Sequence, residues 1–189
     1  MPQPITIVSG LPRSGTSLMM QMLANGGMDV VTDEIRAADT DNPRGYFEFE
    51  RVKKIKQDAT WLPGTRGRAF KMVSQLLYDL PATETYRVIF MERDFDEMLA
   101  SQEKMLQRLG RPAAPRDEIK QSYRLHLDRL REWLARQSNI HLLYVSYNDL
   151  LHKTAEETGR ITAFLNNEID GERMRAAVDP SLYRNRKPS

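Results

Sequence analysis

The chain has 189 residues, 40% of them hydrophobic and 29% charged, with a formal net charge of +2. That length accommodates one domain with a sizeable core and hardly two, and so small a charge excess argues against a protein that coats nucleic acid. The chain has no cysteine, which excludes disulfides, thiolate metal sites and cysteine nucleophiles.

Met1-Pro2-Gln3-Pro4 carries no basic stretch leading into an apolar one, and no apolar run approaches the roughly 20 residues that span a bilayer. The expectation is one cytoplasmic domain over residues 1–189, with no membrane segment and a polar, basic tail from about Asp179. Ile5-Thr6-Ile7-Val8 is short and β-branched and stops at Ser9-Gly10, which reads as a buried strand. Leu18, Met19, Met22 and Leu23 then recur at helical spacing up to Asn25-Gly26-Gly27. A second short strand is expected at Met28–Val31, a loop over 32–45, and a helix from about Phe47 to Asp58. Strands are expected at Arg68–Val73 and Arg87–Glu92, with a helical turn at Leu76–Leu80 between them.

Asp94 or Asp96 caps the next helix, expected over 95–109. Gly110, Pro112 and Pro115 break the chain. Ile119, Tyr123, Leu127, Leu130 and Leu134 then form one apolar stripe among charges, the pattern of a long amphipathic helix. Ile140–Val145 is the last expected strand, followed by helices near 147–152, 154–166 and 171–177. Strands alternating with helices predict an α/β domain, with three layers around a mainly parallel sheet. In such sheets ligands lie at the carboxyl ends of the strands. The loops after Val8, Val73 and Glu92 are therefore the places to look for chemistry.

Gly10-Leu-Pro-Arg-Ser-Gly15-Thr16-Ser17 follows the first strand and opens the first helix. Its spacing is that of a phosphate-binding loop, whose backbone N–H groups and helix N-terminus face an anion. The lysine that a nucleoside-triphosphatase places after the second glycine is replaced by Thr16, and a cation, Arg13, stands inside the loop instead. Strand Arg87–Glu92 ends in an acid but shows no clear Walker-B aspartate. Ordinary Mg²⁺-dependent triphosphate chemistry is disfavoured on both counts.

Pro12-Arg13-Ser14-Gly15-Thr16-Ser17 resembles the 5′-phosphosulfate loop of the sulfotransferases, P-[KR]-S-G-T-[ST]. Arg93-Asp94, with Ser101 eight residues after Arg93, resembles that family's R-[DN]-x(6)-S element. The resemblance implies a P-loop-like fold similar to that of short bacterial members. It also implies 3′-phosphoadenosine 5′-phosphosulfate (PAPS) as sulfuryl donor and a hydroxyl or amine as acceptor, with no metal. Arg13, Ser14, Gly15, Thr16 and Ser17 would hold the phosphosulfate, and Arg93 with Ser101 the 3′-phosphate. On the residues alone, Arg93 pairing with Asp94 or Asp96 at the surface is the alternative.

Phe70-Lys71-Met72-Val73 lies where the family often has a strand-end lysine near the transferred group, so Lys71 is a catalytic candidate, or else a solvated lysine. The histidine of the cytosolic branch would fall at Val73, so this chain departs from it. His126, His141 and His152 read as structural or solvated. Asn42-Pro43-Arg44-Gly45-Tyr46-Phe47-Glu48 resembles a segment of bacterial members. It nominates Glu48 as the base, with Glu34 and Asp33 behind it; the other reading of Glu48 is a first-turn acid facing a helix dipole.

Leu142–Leu150 resembles the family's strand leading to a Y-E-D-L-like segment and is expected to support the fold. The C-terminal G-x-x-G-x-x-K segment is missing, and Arg184 or Arg186 either replaces its nucleotide contact or belongs to a solvated tail. The expected partners are a nucleotide donor and an acceptor, with no nucleic acid. A P-loop kinase of small molecules or nucleotides, and a catalytically silent nucleotide-binding module, are the rival readings.

Overall fold

A computed structural model describes residues 2–33 and 45–178. Its centre is a four-stranded parallel sheet in the order β2-β1-β3-β4, made of β1 (Ile5–Gly10), β2 (Ala69–Val73), β3 (Tyr86–Glu92) and β4 (Ile140–Ser146). β1 is buried along its whole length. That burial explains its near-continuous apolar run, since helices cover both faces of a parallel sheet.

One face of the sheet packs on α1 (Thr16–Asn25), α4 (Tyr147–His152), α5 (Thr154–Phe164) and α6 (Gly171–Ala176), with Met19, Met22, Ile89, Ile161 and Met174 in the shared core. The other face carries α3 (Arg116–Leu134) and short 3-10 turns, around Ile7, Phe70, Val88, Leu127 and Leu130. α2 (Phe95–Arg108) also adds Met98 to this side. The α/β/α layering expected from the sequence is therefore the architecture observed. No helix among the described residues is long and apolar enough to cross a membrane.

Two expected elements differ. Met28–Val31 is not a strand: it makes one bridge, Val30 to Ala69, at the edge beyond β2. The chain then turns away, because the Thr32 hydroxyl and the Asp33 N–H both donate to the Glu48 carbonyl. The expected helix over 47–58 is reduced to a 3-10 turn at Glu50–Lys54. Phe47 has a left-handed backbone, with φ of 51°, so no helix starts there. The Asp33 carboxylate accepts the Glu50 N–H at 2.6 Å and starts the turn at that point. The remaining elements fall within a few residues of expectation. Asp94 caps α2, its carboxylate accepting the N–H groups of Asp96 and Glu97.

The stripe on α3 separates buried from exposed positions sharply. Leu130 is 1% exposed, whereas Leu125 is 50% exposed. Leu130→Ala is expected to lower stability by about 2–5 kcal/mol. Leu125→Ala should stay within about 0.5 kcal/mol of the parent. Urea denaturation of both variants measures the contrast.

Candidate active site

The carboxyl ends of β1, β2 and β3 meet at one edge, and the loop from Gly10 to Gly15 closes over it. The loop reverses direction in a few residues by using unusual backbone. Arg13 has φ of 68° and Gly15 of 101°. For the arginine this conformation costs about 1–2 kcal/mol. At Gly15 a side chain has no room, since a Cβ would lie 2.4 Å from Cδ2 of Tyr147.

Gly15 is also the N-cap of α1, and among the described residues no side chain caps that helix. The first N–H groups of a helix lack intrahelical acceptors, and they form an anion site together with the helix dipole. The Ser14 hydroxyl is buried without a hydrogen-bond partner among the described residues. These features fit a loop that receives an anion.

The two motifs, some eighty residues apart in sequence, meet here. Arg13 Nε donates to Ser101 Oγ at 3.0 Å. Arg93 Nη1 donates to the Arg13 carbonyl at 3.3 Å. Arg93 is also engaged by an acid of α2 that the sequence reading did not weigh. Its Nε donates to Glu97 at 3.1 Å, and both side chains are under one-tenth exposed. Asp96 pairs with Lys120 at 2.6 Å. The Arg93 guanidinium also lies over the Tyr147 ring, 4.3 Å from its centroid. Burial pushes the Tyr147 hydroxyl pKa above its ordinary value. Glu92 pairs with Arg131 of α3 at 2.9 Å.

Lys71 stands beside Val8 in the β1–β2 ladder. Its ammonium donates to Ser17 Oγ at 3.3 Å and to the Tyr46 carbonyl. Ser17 Oγ donates to the same carbonyl at 3.4 Å. Glu48 lies two residues beyond Tyr46. Its backbone is held by Thr32 and Asp33, and its carboxylate comes within 4.0 Å of Lys53 Nζ. The Asp33 carboxylate is engaged with the Glu50 N–H. Glu34, Asn42, Pro43, Arg44, Arg184 and Arg186 lie outside the described residues. Val73, where the histidine branch has its base, is 44% exposed. Among the described residues no three histidine or acidic side chains converge to hold a metal ion.

A cavity of about 440 Å³ opens beside the loop, lined by Leu11, Ser14, Phe90, Arg93, Met98 and Leu127 among others. Sequence reasoning missed Glu97, Asn148 and the packing role of Tyr147. The Arg93–Glu97 pair spans the N-cap Asp94, and the capped helix start was its usable signal, because a cap turns the entering chain back toward the first turn.

Two expectations follow from this geometry. Gly15→Ala should destabilise the protein by more than about 1 kcal/mol. Adding Tyr147→Ala should recover only part of the loss in thermal denaturation, because the left-handed backbone remains. The second concerns His126, whose Nε2 lies 2.9 Å from Ser74 Oγ and whose pKa burial pushes down. The unfolded chain binds that proton more readily than the folded one. The neutral imidazole's contribution is therefore full above roughly pH 6.5 and is lost as pH falls through the depressed value. His126→Asn should flatten the decline in Tm between about pH 7 and 5.

Comparison with known proteins identifies the family. The sulfotransferase domain family matches residues 3–188. No curated protein matches the chain significantly. Among solved structures, the chain resembles a sulfotransferase domain from the curacin biosynthetic pathway, with a TM-score of 0.58 and 14% identity over 99% of this chain and 93% of that one. A sulfotransferase from Mycobacterium avium gives 0.55 and 14% identity over 93% and 68%. One from Alicyclobacillus acidocaldarius gives 0.50 and 15% over 88% and 82%. At such identities the likeness is one of fold, but the family match spans nearly the whole sequence, and with it the loop at residues 12–17 and Arg93 with Ser101: the chain belongs to the sulfotransferase family.

Proposed function

We propose that this protein transfers a sulfuryl group from PAPS to a hydroxyl or amine acceptor. The observation that carries the reading is the meeting of the two motifs, through Arg13 Nε on Ser101 Oγ at 3.0 Å and Arg93 Nη1 on the Arg13 carbonyl at 3.3 Å. A nucleotide with anionic groups at both its 5′ and 3′ positions suits two such arginines held side by side. The uncapped N-terminus of α1 supplies backbone donors for the phosphosulfate, with Ser14, Gly15, Thr16 and Ser17 around it. Arg93 and Ser101 take the 3′-phosphate.

The reaction needs an in-line acceptor, removal of its proton, and stabilisation of charge on the leaving oxygen. The acceptor oxygen or nitrogen forms a bond to sulfur, and the bond from sulfur to the bridging oxygen breaks. Arg13 and Lys71 neutralise the charge that gathers on the bridging oxygen and the sulfuryl. The released product is 3′,5′-bisphosphoadenosine. Glu48 is the proton acceptor in this reading. It is supported by the link between its segment and the donor loop, since Lys71 and Ser17 both hold the carbonyl of Tyr46.

Isothermal calorimetry tests the donor. 3′,5′-Bisphosphoadenosine should bind without Mg²⁺. Arg13→Ala should cost about 2–4 kcal/mol of that binding, and Arg93→Ala a similar amount. A preference for ATP–Mg²⁺ over the bisphosphate would sink the reading and favour a kinase.

A further inference from the structure

Arg93 stands just past the carboxyl end of β3, and its side chain is 8% exposed. An arginine stays charged in any protein environment, so a buried one is tolerated only where another group offsets its desolvation. Glu97, one turn along α2 and 4% exposed, is that group. Its Oε2 accepts from Arg93 Nε at 3.1 Å, and its Oε1 accepts from Asn148 Nδ2 at 3.3 Å. A single carboxylate thus joins the start of α2 to the start of α4.

The consequence is directional. A guanidinium is a rigid planar fork, so fixing Nε fixes where the outer nitrogens point. With Nε on Glu97, Nη1 reaches the carbonyl of Arg13 at 3.3 Å, and the plane rests over Tyr147. That carbonyl belongs to the residue held in the left-handed conformation, with φ of 68°. The chain of contacts therefore runs from Asn148 through Glu97 and Arg93 to the strained point of the phosphate loop.

We propose that Glu97 is a positioning residue for recognition of the donor's 3′-phosphate. It does not touch the nucleotide; it aims Arg93. The inference rests on the reading above, in which Arg93 takes the 3′-phosphate. Electrostatics alone would predict the opposite effect, since a nearby carboxylate repels a phosphate and its removal would tighten binding. Aim and charge are therefore separable. Glu97→Gln removes the charge and keeps an oxygen for Arg93 Nε, and the Asn148 amide can turn to meet the new amide.

The test is calorimetry on the full chain with 3′,5′-bisphosphoadenosine and with adenosine 5′-monophosphate. The readout is the ratio of the two affinities, which a general weakening of the fold does not change. The parent should prefer the bisphosphate. Glu97→Ala should lower bisphosphate affinity by about ten- to a hundredfold, the loss typical when the support behind a ligand-binding group is removed. Its monophosphate affinity should stay within about twofold, the additivity usual for groups that share no contact. Glu97→Gln should recover most of the preference. The double variant with Arg93→Ala should be no worse than Arg93→Ala alone, because both act through one contact.

An unchanged preference in Glu97→Ala, an equal loss for both nucleotides, or a tighter bisphosphate overturns the proposal. If Glu97→Ala fails to fold, Asn148→Ala carries the test: a reduced preference supports the proposal, and an unchanged one overturns it. A parent protein without any preference for the bisphosphate overturns the donor reading and this inference together. A parent with the preference, kept intact in the variants, overturns this inference alone.

Discussion

The left-handed backbone at Arg13 and Gly15 is the constraint from which the rest of the site follows. A chain leaving β1 at Gly10 must turn and enter α1 by Thr16, and it does so through one strained arginine and one glycine. Strain of this kind persists only when the surroundings over-determine it. Here they do so from two sides. The Tyr147 ring fills the space where a Gly15 side chain would lie, and Arg93 holds the Arg13 carbonyl. Tyr147 comes from α4, after β4, and Arg93 from just past the carboxyl end of β3. The loop's shape therefore depends on the parallel sheet bringing distant segments to one edge.

The same edge concentrates charge in a protein whose net charge is only +2. Arg13, Arg93 and Lys71 gather where Gly10, Val73 and Glu92 end their strands. Buried Glu97 offsets part of this charge, and so the cluster tolerates its own burial. The balance is local: under the proposed function an anion would meet focused cations and helix N–H groups, with no need for a strongly basic surface. Over the rest of the surface, pairs such as Arg51–Asp58 and Arg116–Glu103 are largely exposed and contribute little to stability.

Much of this was legible in the sequence, for identifiable reasons. Ile5–Val8 and Arg87–Glu92 are buried on both faces, so their apolar runs are unbroken and easy to read. The loop was legible because Gly10, Gly15 and Arg13 are the residue types its backbone and ligand demand. Met28–Val31 was misread because β propensity does not reveal that Thr32 and Asp33 engage Glu48 rather than continue along β2. The helix over 47–58 was overestimated because nothing local announces a left-handed Phe47. The fit of Tyr147 against Gly15 joins residues 132 positions apart. Only the folded sheet brings them together, and no pattern within either segment encodes it.

The loop after β1 and the segment leading to Glu48 are joined at one atom, the carbonyl oxygen of Tyr46. Lys71, expected beside the transferred group, donates to it, and so does Ser17 of the phosphate loop. Tyr46 is buried, and the chain leaves it through the left-handed Phe47 to reach Glu48. The Glu48 carbonyl is in turn pinned by Thr32 and Asp33. The segment carrying the nominated base is thus fastened at both ends, on one side to donor-loop groups and on the other to the chain leaving the edge of β2. Under the proposed function, a phosphosulfate drawing on Lys71 and Ser17 would compete with the Tyr46 carbonyl for the same two donors. Arrival of that donor would then bear directly on the segment carrying Glu48.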